Sequence, residues 1–254
     1  KGEGPQQVQF VERVPTERTF LAWFAPLEGE GTDRSYLLIL DDLTEARATE
    51  RMRVDFVANA SHELRTPLAS LSGVVETLQG PARNDAAARE RFLEIMRVQA
   101  QRMSRLIDDL LSLSRIELRA HVPPQAAMDL TAVAKQMLDT LAPLARERGV
   151  EVAFAHPDEP ATIAGDRDEL LRLVENLVEN AIKYADGGKR VEVTISRRAG
   201  EGRESVRLAV RDHGPGIAPE HLPRLTERFY RVDVAASRER GGTGLGLAIV
   251  KHIV

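Results

Sequence analysis

Two long segments each carry a repeat of mainly apolar residues, spaced alternately four and three positions apart. These two repeats constrain the fold of this chain more than any other feature. This heptad spacing predicts α-helices that pack along one stripe, as in a coiled coil. Gly80 and Pro81 separate the repeats and predict an antiparallel hairpin, and pairing two hairpins into a four-helix bundle would bury both stripes. The first stripe comprises Val57, Ser61, Leu64, Leu68, Leu71, Val75 and Leu78, and the second Phe92, Met96, Gln99, Met103, Leu106, Leu110 and Leu113.

One segment of the first repeat, residues 61–68, is unusual for a helix that only packs. It reads SHELRTPL, and Pro67 removes a backbone donor, which costs about 3 kcal/mol in a helix interior. His62 falls one position past the stripe and is predicted to face water, and Thr66 shares its helix face. A neutral imidazole is a nucleophile near pH 7. The alternative is a surface histidine without a role.

The composition of the chain excludes or disfavours several kinds of function. The 254 residues suffice for one large or two to three small domains, and 43% hydrophobic with 29% charged residues is typical of a soluble protein. A net charge of -4 argues against a nucleic-acid surface, and the lack of cysteine excludes disulfides and thiolate metal sites. The longest apolar run, residues 36–40, is far short of the ~20 residues of a membrane-spanning helix. Because the chain starts at Lys1 and stops at Val254 inside a helical pattern, we interpret it as a fragment. We expect this fragment to be cytoplasmic.

The segments on either side of the helical repeats differ in character. Three β-rich runs precede them, at Gln7–Val14, Thr19–Ala25 and Ser35–Leu40, and the turn-rich residues 28–33 predict a hairpin of the last two. Thr44 is a candidate N-cap of the first helix. After a linker at residues 120–125, helices and strands alternate, which predicts helices on one face of a sheet. The predicted elements there are helix Leu130–Arg148, strands Val150–Phe154 and Thr162–Ala164, helix Asp166–Tyr184 with Asp166 as N-cap, and the antiparallel strands Val191–Arg197 and Ser205–Asp212.

A polar pattern marks the second of these helices. Asn176 and Asn180 are four residues apart and share one face, with Lys183 and Tyr184 close by. Amide oxygens suit Mg²⁺, and a lysine supplies a point charge for a phosphate. The alternative is two asparagines on an exposed helix face.

Two glycine-rich segments follow the last strand. Residues 212–217, DHGPGI, let the backbone turn and approach a ligand, and Asp212 can accept a hydrogen bond from an amino group; the alternative is a plain turn. Residues 241–249, GGTGLGLAI, open a helix and offer backbone donors to phosphate. A dinucleotide-binding motif is excluded because no strand directly precedes the glycines, and a P-loop because no lysine followed by Ser or Thr closes them.

In this order and at these spacings, the patterns resemble the sensor histidine kinases of two-component systems. The resemblance runs from Thr44 to Val254, and residues 55–62 are most similar to the phosphate-regulon sensor kinases. Residues 5–44 resemble the tail of a PAS sensor domain. Residues 61–68 are similar to the H box of that family, 175–185 to its N box, 212–217 to its first glycine box, 227–233 to its F box and 241–249 to its second glycine box.

The resemblance implies a multi-domain chain of α and α+β parts. It implies the end of a PAS-like β-sheet in residues 1–43, and a coiled-coil linker helix with a dimeric helical hairpin in 44–120. A linker at 121–127 would lead to an α/β-sandwich ATP-binding domain of the Bergerat fold in 128–254. Because family members usually continue through a further strand or two, this domain is expected to be C-terminally incomplete.

The resemblance also implies the activity and partners. His62 would take the γ-phosphoryl group of ATP, Glu63 would serve as its hydrogen-bond acceptor and base, and Thr66 would help dephosphorylate the partner. That partner would be a response regulator phosphorylated on an aspartate. The chain would form a homodimer through the hairpin, and the full-length protein would be anchored in the bacterial inner membrane.

The implied ATP site draws on every pattern of the C-terminal half. Asn180 would bind Mg²⁺ with support from Asn176, Lys183 and Tyr184 would line the phosphates and ribose, and Asp212 would hold the adenine amino group. Gly214 and Gly216 would shape the pocket, Arg231 would touch the γ-phosphate, Phe229 and Tyr230 would anchor a lid at 232–242, and Thr243, Gly244, Leu245 and Gly246 would begin the phosphate-binding helix.

Two other functions remain open from the sequence. An ATPase of the gyrase or Hsp90 type shares the ATP fold but usually has a glutamate base where Asn176 stands, and an amide cannot take a proton. A dimeric scaffold that relays signals with an inactive ATP site is the other alternative.

Overall fold

The computed structural model describes residues 6–27, 35–119, 124–185, 189–199 and 204–254. The predicted turn at residues 28–33 and most of the predicted linker, residues 120–123, lie outside these ranges. The chain divides into two compact units, Lys1–Arg65 and Thr66–Val254, and each is described by itself. Within the described ranges, every helix is too short or too polar to traverse a lipid bilayer.

The first unit begins with a three-stranded antiparallel sheet. Its strands are β1 (Gln6–Glu12), β2 (Arg18–Leu27) and β3 (Ser35–Asp42), in the order β1-β2-β3. The predicted hairpin of the last two strands is confirmed. Phe10 and Phe20 are cross-strand partners on β1 and β2, and their rings stack with centroids 5.6 Å apart. Such aromatic pairs fix the register of a sheet.

A polar joint connects this sheet to helix α1 (Thr44–Gln79). Thr44 is the first helical residue, so the prediction that it caps the helix from outside is wrong. Its hydroxyl accepts a hydrogen bond from Thr19 N on β2 (3.0 Å) and donates to Asp42 (2.5 Å). Asp42 takes over the capping because its carboxylate also accepts from Thr44 N (2.9 Å), and these bonds lower the pKa of Asp42.

The two predicted long helices are confirmed. Helix α1 continues through Pro67, the connection at residues 80–85 reverses the chain, and α2 spans Ala86–Arg119. Asp85 accepts a hydrogen bond from Ala88 N (2.9 Å) at the start of α2. Among the last three stripe residues of α2, Leu106 and Leu113 are buried and Leu110 is half-buried.

The C-terminal part of the chain is an α/β layer, as predicted. Its three-stranded sheet has the order β5-β7-β8, with β5 parallel to β7 and β7 antiparallel to β8, and a small sheet pairs β4 with β6. The strands are β4 (Ala127–Asp129), β5 (Glu151–Ala155), β6 (Thr162–Ala164), β7 (Arg190–Ala199) and β8 (Glu204–Asp212). The helices are α3 (Leu130–Glu147), α4 (Arg167–Tyr184), α5 (Val234–Glu239) and α6 (Gly246–Ile253).

The core of this layer forms where α4 meets the sheet. Val174 and Val178, one turn apart on α4, are fully buried, as are Val191 and Val193 on β7. The periods of 3.6 and 2 residues bring these apolar side chains to one face of each element. Because this face of α4 is held by the core, its polar face is fixed in position.

The N-cap of α4 allows a direct test of the local fold. The Asp166 carboxylate accepts hydrogen bonds from Asp168 N (2.9 Å) and Glu169 N (3.2 Å), which confirms the predicted cap. We expect Asp166→Ala to lower the free energy of unfolding by about 1 kcal/mol, because two backbone donors lose their acceptor. Urea denaturation followed by circular dichroism measures this. Asp158→Ala, in an exposed loop, is the control, and equal losses in both variants would contradict the assignment.

Candidate functional site

The first candidate site lies on α1. His62 is exposed, as predicted from its position beside the apolar stripe. Ser61 directs its hydroxyl back onto its own helix, where it donates to the carbonyl of Val57 (2.8 Å). Glu63, the neighbour of His62, is half-buried.

Two further residues of the same motif differ in exposure. Thr66 is exposed, whereas Pro67 is among the fully buried side chains. The pyrrolidine ring is thus part of the packed interior, and the helix runs on to Gln79 without ending. A bend at Pro67 stays a prediction.

The second candidate site begins where α4 meets the first turn of α6. Asn176 donates from its Nδ2 to the carbonyl of Arg172 (2.8 Å). Its Oδ1 faces Gly246, where a Cβ atom would overlap that oxygen. Asn180 is half-buried one turn further along α4, and the opposite face of the helix is held in the core by Val174. The sequence prediction that Asn176 and Asn180 share one helix face is confirmed.

The first glycine segment closes onto the end of α4. Gly214 lies so near the carbonyl oxygen of Tyr184 that a Cβ atom would overlap it. Gly214 N donates to the Asp212 carboxylate (2.9 Å), which fixes the turn after β8. Gly216 has φ +78°, a conformation that favours glycine. The backbone therefore requires glycine at positions 214 and 216. The turn that they form brings Asp212 near the end of α4.

The basic and aromatic residues at the end of α4 already have partners. The Lys183 side chain is only 8% exposed, and its Nζ lies 2.9 Å from Glu179 Oε1. The Tyr184 hydroxyl donates to Ser237 (3.4 Å), and the guanidinium of Arg240 lies over the ring at 5.2 Å. In this state the ammonium group is neutralised by a carboxylate.

The F-box segment is joined to the second glycine segment by backbone contacts. Phe229 N donates to Gly244 O (2.8 Å), and a Cβ on Gly244 would lie 2.9 Å from the Phe229 backbone. Arg231 donates from its guanidinium to the carbonyl of Thr243 (2.7 Å). Tyr230 instead contacts His221, with its hydroxyl 2.7 Å from the ring nitrogen. The structure thus brings together most of the predicted ATP-site residues of these two segments.

Sequence reasoning missed Ser237, a buried residue of α5. Its carbonyl accepts from Gly242 N (2.8 Å), and a Cβ on Gly242 would lie 2.5 Å from its hydroxyl. Together with the bond from Tyr184, these contacts connect the predicted lid segment to both α4 and the glycine turn. A lone serine in a charged segment carries no signal from which this position could be predicted.

Sequence reasoning also missed Asp109 on α2. The hydroxyl of Thr243 donates to its Oδ2 (2.7 Å), and Arg172 lies 3.9 Å from its Oδ1. A signal was present, since Asp109 stands three residues after Leu106 and four before Leu113, on the buried face of α2. An acidic residue on such a face needs a partner from another element.

The electrostatics around Asp109 are mixed. Burial raises the pKa of its carboxyl, whereas the hydrogen bond from Thr243 and the charge of Arg172 lower it. The carboxylates of Glu175 and Glu179 on α4 raise this pKa further. The Asp109 carboxyl group therefore lies among both acidic and basic side chains.

A second acidic residue strengthens the contact of α2 with the α/β layer. Glu117 forms a salt bridge with Arg228 and lies 3.6 Å from His252 on α6. Helix α2 packs against α6, and Ile116 is buried on this face. Polar and apolar contacts together hold α2 against the layer.

Comparison with known families agrees with this arrangement. Residues 52–119 match the His Kinase A (phospho-acceptor) domain, and residues 165–254 match the histidine kinase-, DNA gyrase B-, and HSP90-like ATPase family. The first match covers the α1–α2 hairpin with His62, and the second covers α4, α6 and the two glycine segments. The chain belongs to the sensor histidine kinases.

The chain is similar to two curated sensor kinases and to one solved histidine kinase structure. It is 39% identical to the phosphate regulon sensor protein PhoR of Pseudomonas aeruginosa, covering 94% of this chain and 52% of PhoR. It is 37% identical to the sensor protein kinase WalK of Staphylococcus saprophyticus, covering 86% and 35%. The crystal structure of full-length ShkA in complex with AMPPNP is 30% identical with a TM-score of 0.53, covering 80% and 40%. The chain thus spans about half or less of the length of these curated relatives.

Proposed function

We propose that this chain is a protein-histidine kinase that moves the γ-phosphoryl group of ATP onto His62 and then onto an aspartate of a response regulator. The observation that carries the proposal is that one chain contains both an exposed histidine in a phosphoacceptor segment and an ATPase-family domain. In that domain, the predicted motifs meet at α4 and α6. The AMPPNP bound to ShkA supports ATP as the nucleotide.

The proposed chemistry begins at the imidazole. The lone pair of Nε2 attacks the γ-phosphorus, the bond from this phosphorus to the bridging oxygen breaks, and ADP leaves. The imidazole ring then carries a positive charge, which it loses by giving up its Nδ1 proton. Glu63, adjacent in sequence, is the proposed acceptor and base, and Thr66 the proposed helper in dephosphorylating the regulator. The exposure of His62 supports the first role.

Asn180 and Asn176 are the proposed holders of Mg²⁺, which would shield the phosphate charge during transfer. Their hard amide oxygens and their fixed, half-buried positions on α4 fit this ion. Lys183 would reach a phosphate only by leaving Glu179, which now binds it.

The remaining ATP-site roles are proposals supported by the proximity of the two glycine segments to α4. Asp212 would hold the adenine amino group, and Tyr184 would line the ribose. Gly214 and Gly216 would shape the pocket, Arg231 would contact the γ-phosphate, and Thr243, Gly244, Leu245 and Gly246 would receive phosphate.

The proposed assembly is a homodimer through the α1–α2 hairpin, with a response regulator as the transient partner. Part of the apolar stripe of α1 is exposed in the single chain, where Val57 is 58% and Leu68 54% exposed. A second hairpin would bury these side chains as a four-helix bundle. The β1–β3 sheet is proposed to end a PAS sensor domain, and the longer protein to be anchored in the membrane.

If the dimer forms through the apolar stripe of α1, a charge placed in that stripe should prevent dimerisation. We expect Leu68→Glu to convert the chain to a monomer, because a carboxylate cannot be buried in an apolar seam without a partner. Light scattering after size-exclusion chromatography measures the mass. Leu118→Glu, at a residue of α2 that is 82% exposed, should stay dimeric. A monomeric wild type, or two dimeric variants, would contradict the proposed stripe.

Incubation with Mg²⁺ and γ-labelled ATP tests the function. A protein-bound label that is labile to acid and stable to base would support the histidine kinase. Free phosphate without bound label would favour the gyrase-type ATPase, in spite of the amide at Asn176. Neither label nor phosphate would favour the scaffold.

A further inference from the structure

We propose that Asp109 competes with the phosphates of ATP for Thr243, so that nucleotide binding opposes the docking of α2 on the α/β layer. The inference rests on the proposed function, in which residues 243–246 receive phosphate. It assigns a regulatory contact to a residue outside the ATP-binding motifs.

The hydrogen bonds of Thr243 are the first support. A hydroxyl has one proton to donate, and Thr243 gives it to Asp109 Oδ2 at 2.7 Å. The same oxygen accepts from Leu245 N at 3.3 Å. A phosphate oxygen that needs this proton must therefore displace the carboxylate. Asp109 occupies the position of an anion at the opening of α6.

The local charge is the second support. The Asp109 side chain is only 14% exposed, so solvent screens it weakly. Arg172 lies 3.9 Å away but also pairs with Glu175 at 3.2 Å, which divides its charge between two carboxylates. A phosphate that enters beside Thr243 therefore meets the Asp109 carboxylate, whose charge Arg172 offsets only in part. Removal of one negative charge should ease their entry.

The extent of the contact is the third support. Arg105, one turn before Asp109 on α2, lies against the other end of the glycine turn. A Cβ on Gly241 would be 2.6 Å from its guanidinium. Glu117, two turns further on, holds Arg228 and His252. Successive turns of α2 thus engage the glycine turn and α6 together, so loosening the bond at Thr243 would weaken a docked helix rather than a single contact.

Reciprocity sets the expected effect. If docking of α2 weakens nucleotide binding by a factor, then nucleotide weakens docking by the same factor. Coupling of this kind is commonly about five- to 150-fold. Bound ATP would therefore release the α/β layer from α2.

The test is the Kd of Mg-AMPPNP, measured by isothermal titration calorimetry on the full chain. Asp109→Asn keeps the shape and removes the charge, and we expect it to lower the Kd about tenfold. Asp108→Asn is the matched control because Asp108 is the adjacent, exposed residue, and its Kd should equal that of the wild type. Asp109→Ala removes the acceptor as well and should also bind more tightly. Thermal melts confirm that each variant is folded.

The outcomes separate the inference from the proposed function. An unchanged or raised Kd in both Asp109 variants, with a wild type that binds AMPPNP and labels itself, would overturn the inference alone. A wild type that binds no AMPPNP would overturn the proposed function and the inference with it. Tighter binding in Asp108→Asn as well would reduce the effect to net charge and overturn the role of Asp109.

Discussion

Replacement of His62 by glutamine is expected to abolish the protein-bound phosphate label while nucleotide binding stays unchanged. Glutamine keeps a polar side chain of similar reach, but its amide nitrogen has no lone pair available to attack phosphorus. Because His62 is exposed on α1, its loss should cost little stability. Labelling with γ-labelled ATP, together with AMPPNP titration, measures both effects.

His156→Gln serves as the control for this experiment. His156 is also exposed, but it follows β5 and lies far along the sequence from the H box. We expect its label to match the wild type. Full labelling of His62→Gln would show that another residue accepts the phosphoryl group. Loss of label in both variants would show that the effect is not specific to His62.

Gly214→Ala should have the second large effect. The added methyl would overlap the backbone carbonyl of Tyr184, which cannot move aside without unwinding the end of α4. Overpacking of this kind costs about 1–3 kcal/mol, so we expect a lower melting temperature. Displacement of Asp212 with the loop should raise the Kd of AMPPNP at least about tenfold. Calorimetric melts and titrations test the two results.

Gly73→Ala makes the same chemical change where the structure has room. Apart from its chain neighbours and the backbone of its own helix, no heavy atom in the described part of the chain lies within 4 Å of a Cβ at Gly73 in α1. Alanine favours a helix over glycine by about 0.5–1 kcal/mol, so this variant should be slightly more stable and bind AMPPNP normally. If Gly214→Ala behaves like Gly73→Ala, the glycine segment does not line the nucleotide site.

Much of the fold could be predicted because its signals are periodic. The heptad spacing gave both long helices, alternation gave the strands β7 and β8, and the local preference of Asp166 gave a cap. Thr44 shows where such reasoning fails. Its hydroxyl is taken by Thr19, which is distant in sequence, and Asp42 caps in its place.

The candidate site was predicted as residue types rather than as contacts. The prediction that Asn176 and Asn180 share one helix face is confirmed by α4, because i, i+4 spacing is a local property. The partner of Lys183 was also readable, since Glu179 precedes it by four residues. The bond from Thr243 to Asp109 could not be, because it depends on how α2 packs against the α/β layer. A tertiary contact of this kind joins residues far apart in the chain, so no local sequence pattern predicts it.

The joint between the β1–β3 sheet and α1 has a mechanical consequence. Thr19, Asp42 and Thr44 fasten two strands to the first helical turn, and from there to His62 the helix is unbroken. At 1.5 Å per residue this stretch is about 27 Å long. It acts as a stiff lever arm, so a small tilt or twist of the sheet is delivered at its far end as a displacement of the imidazole.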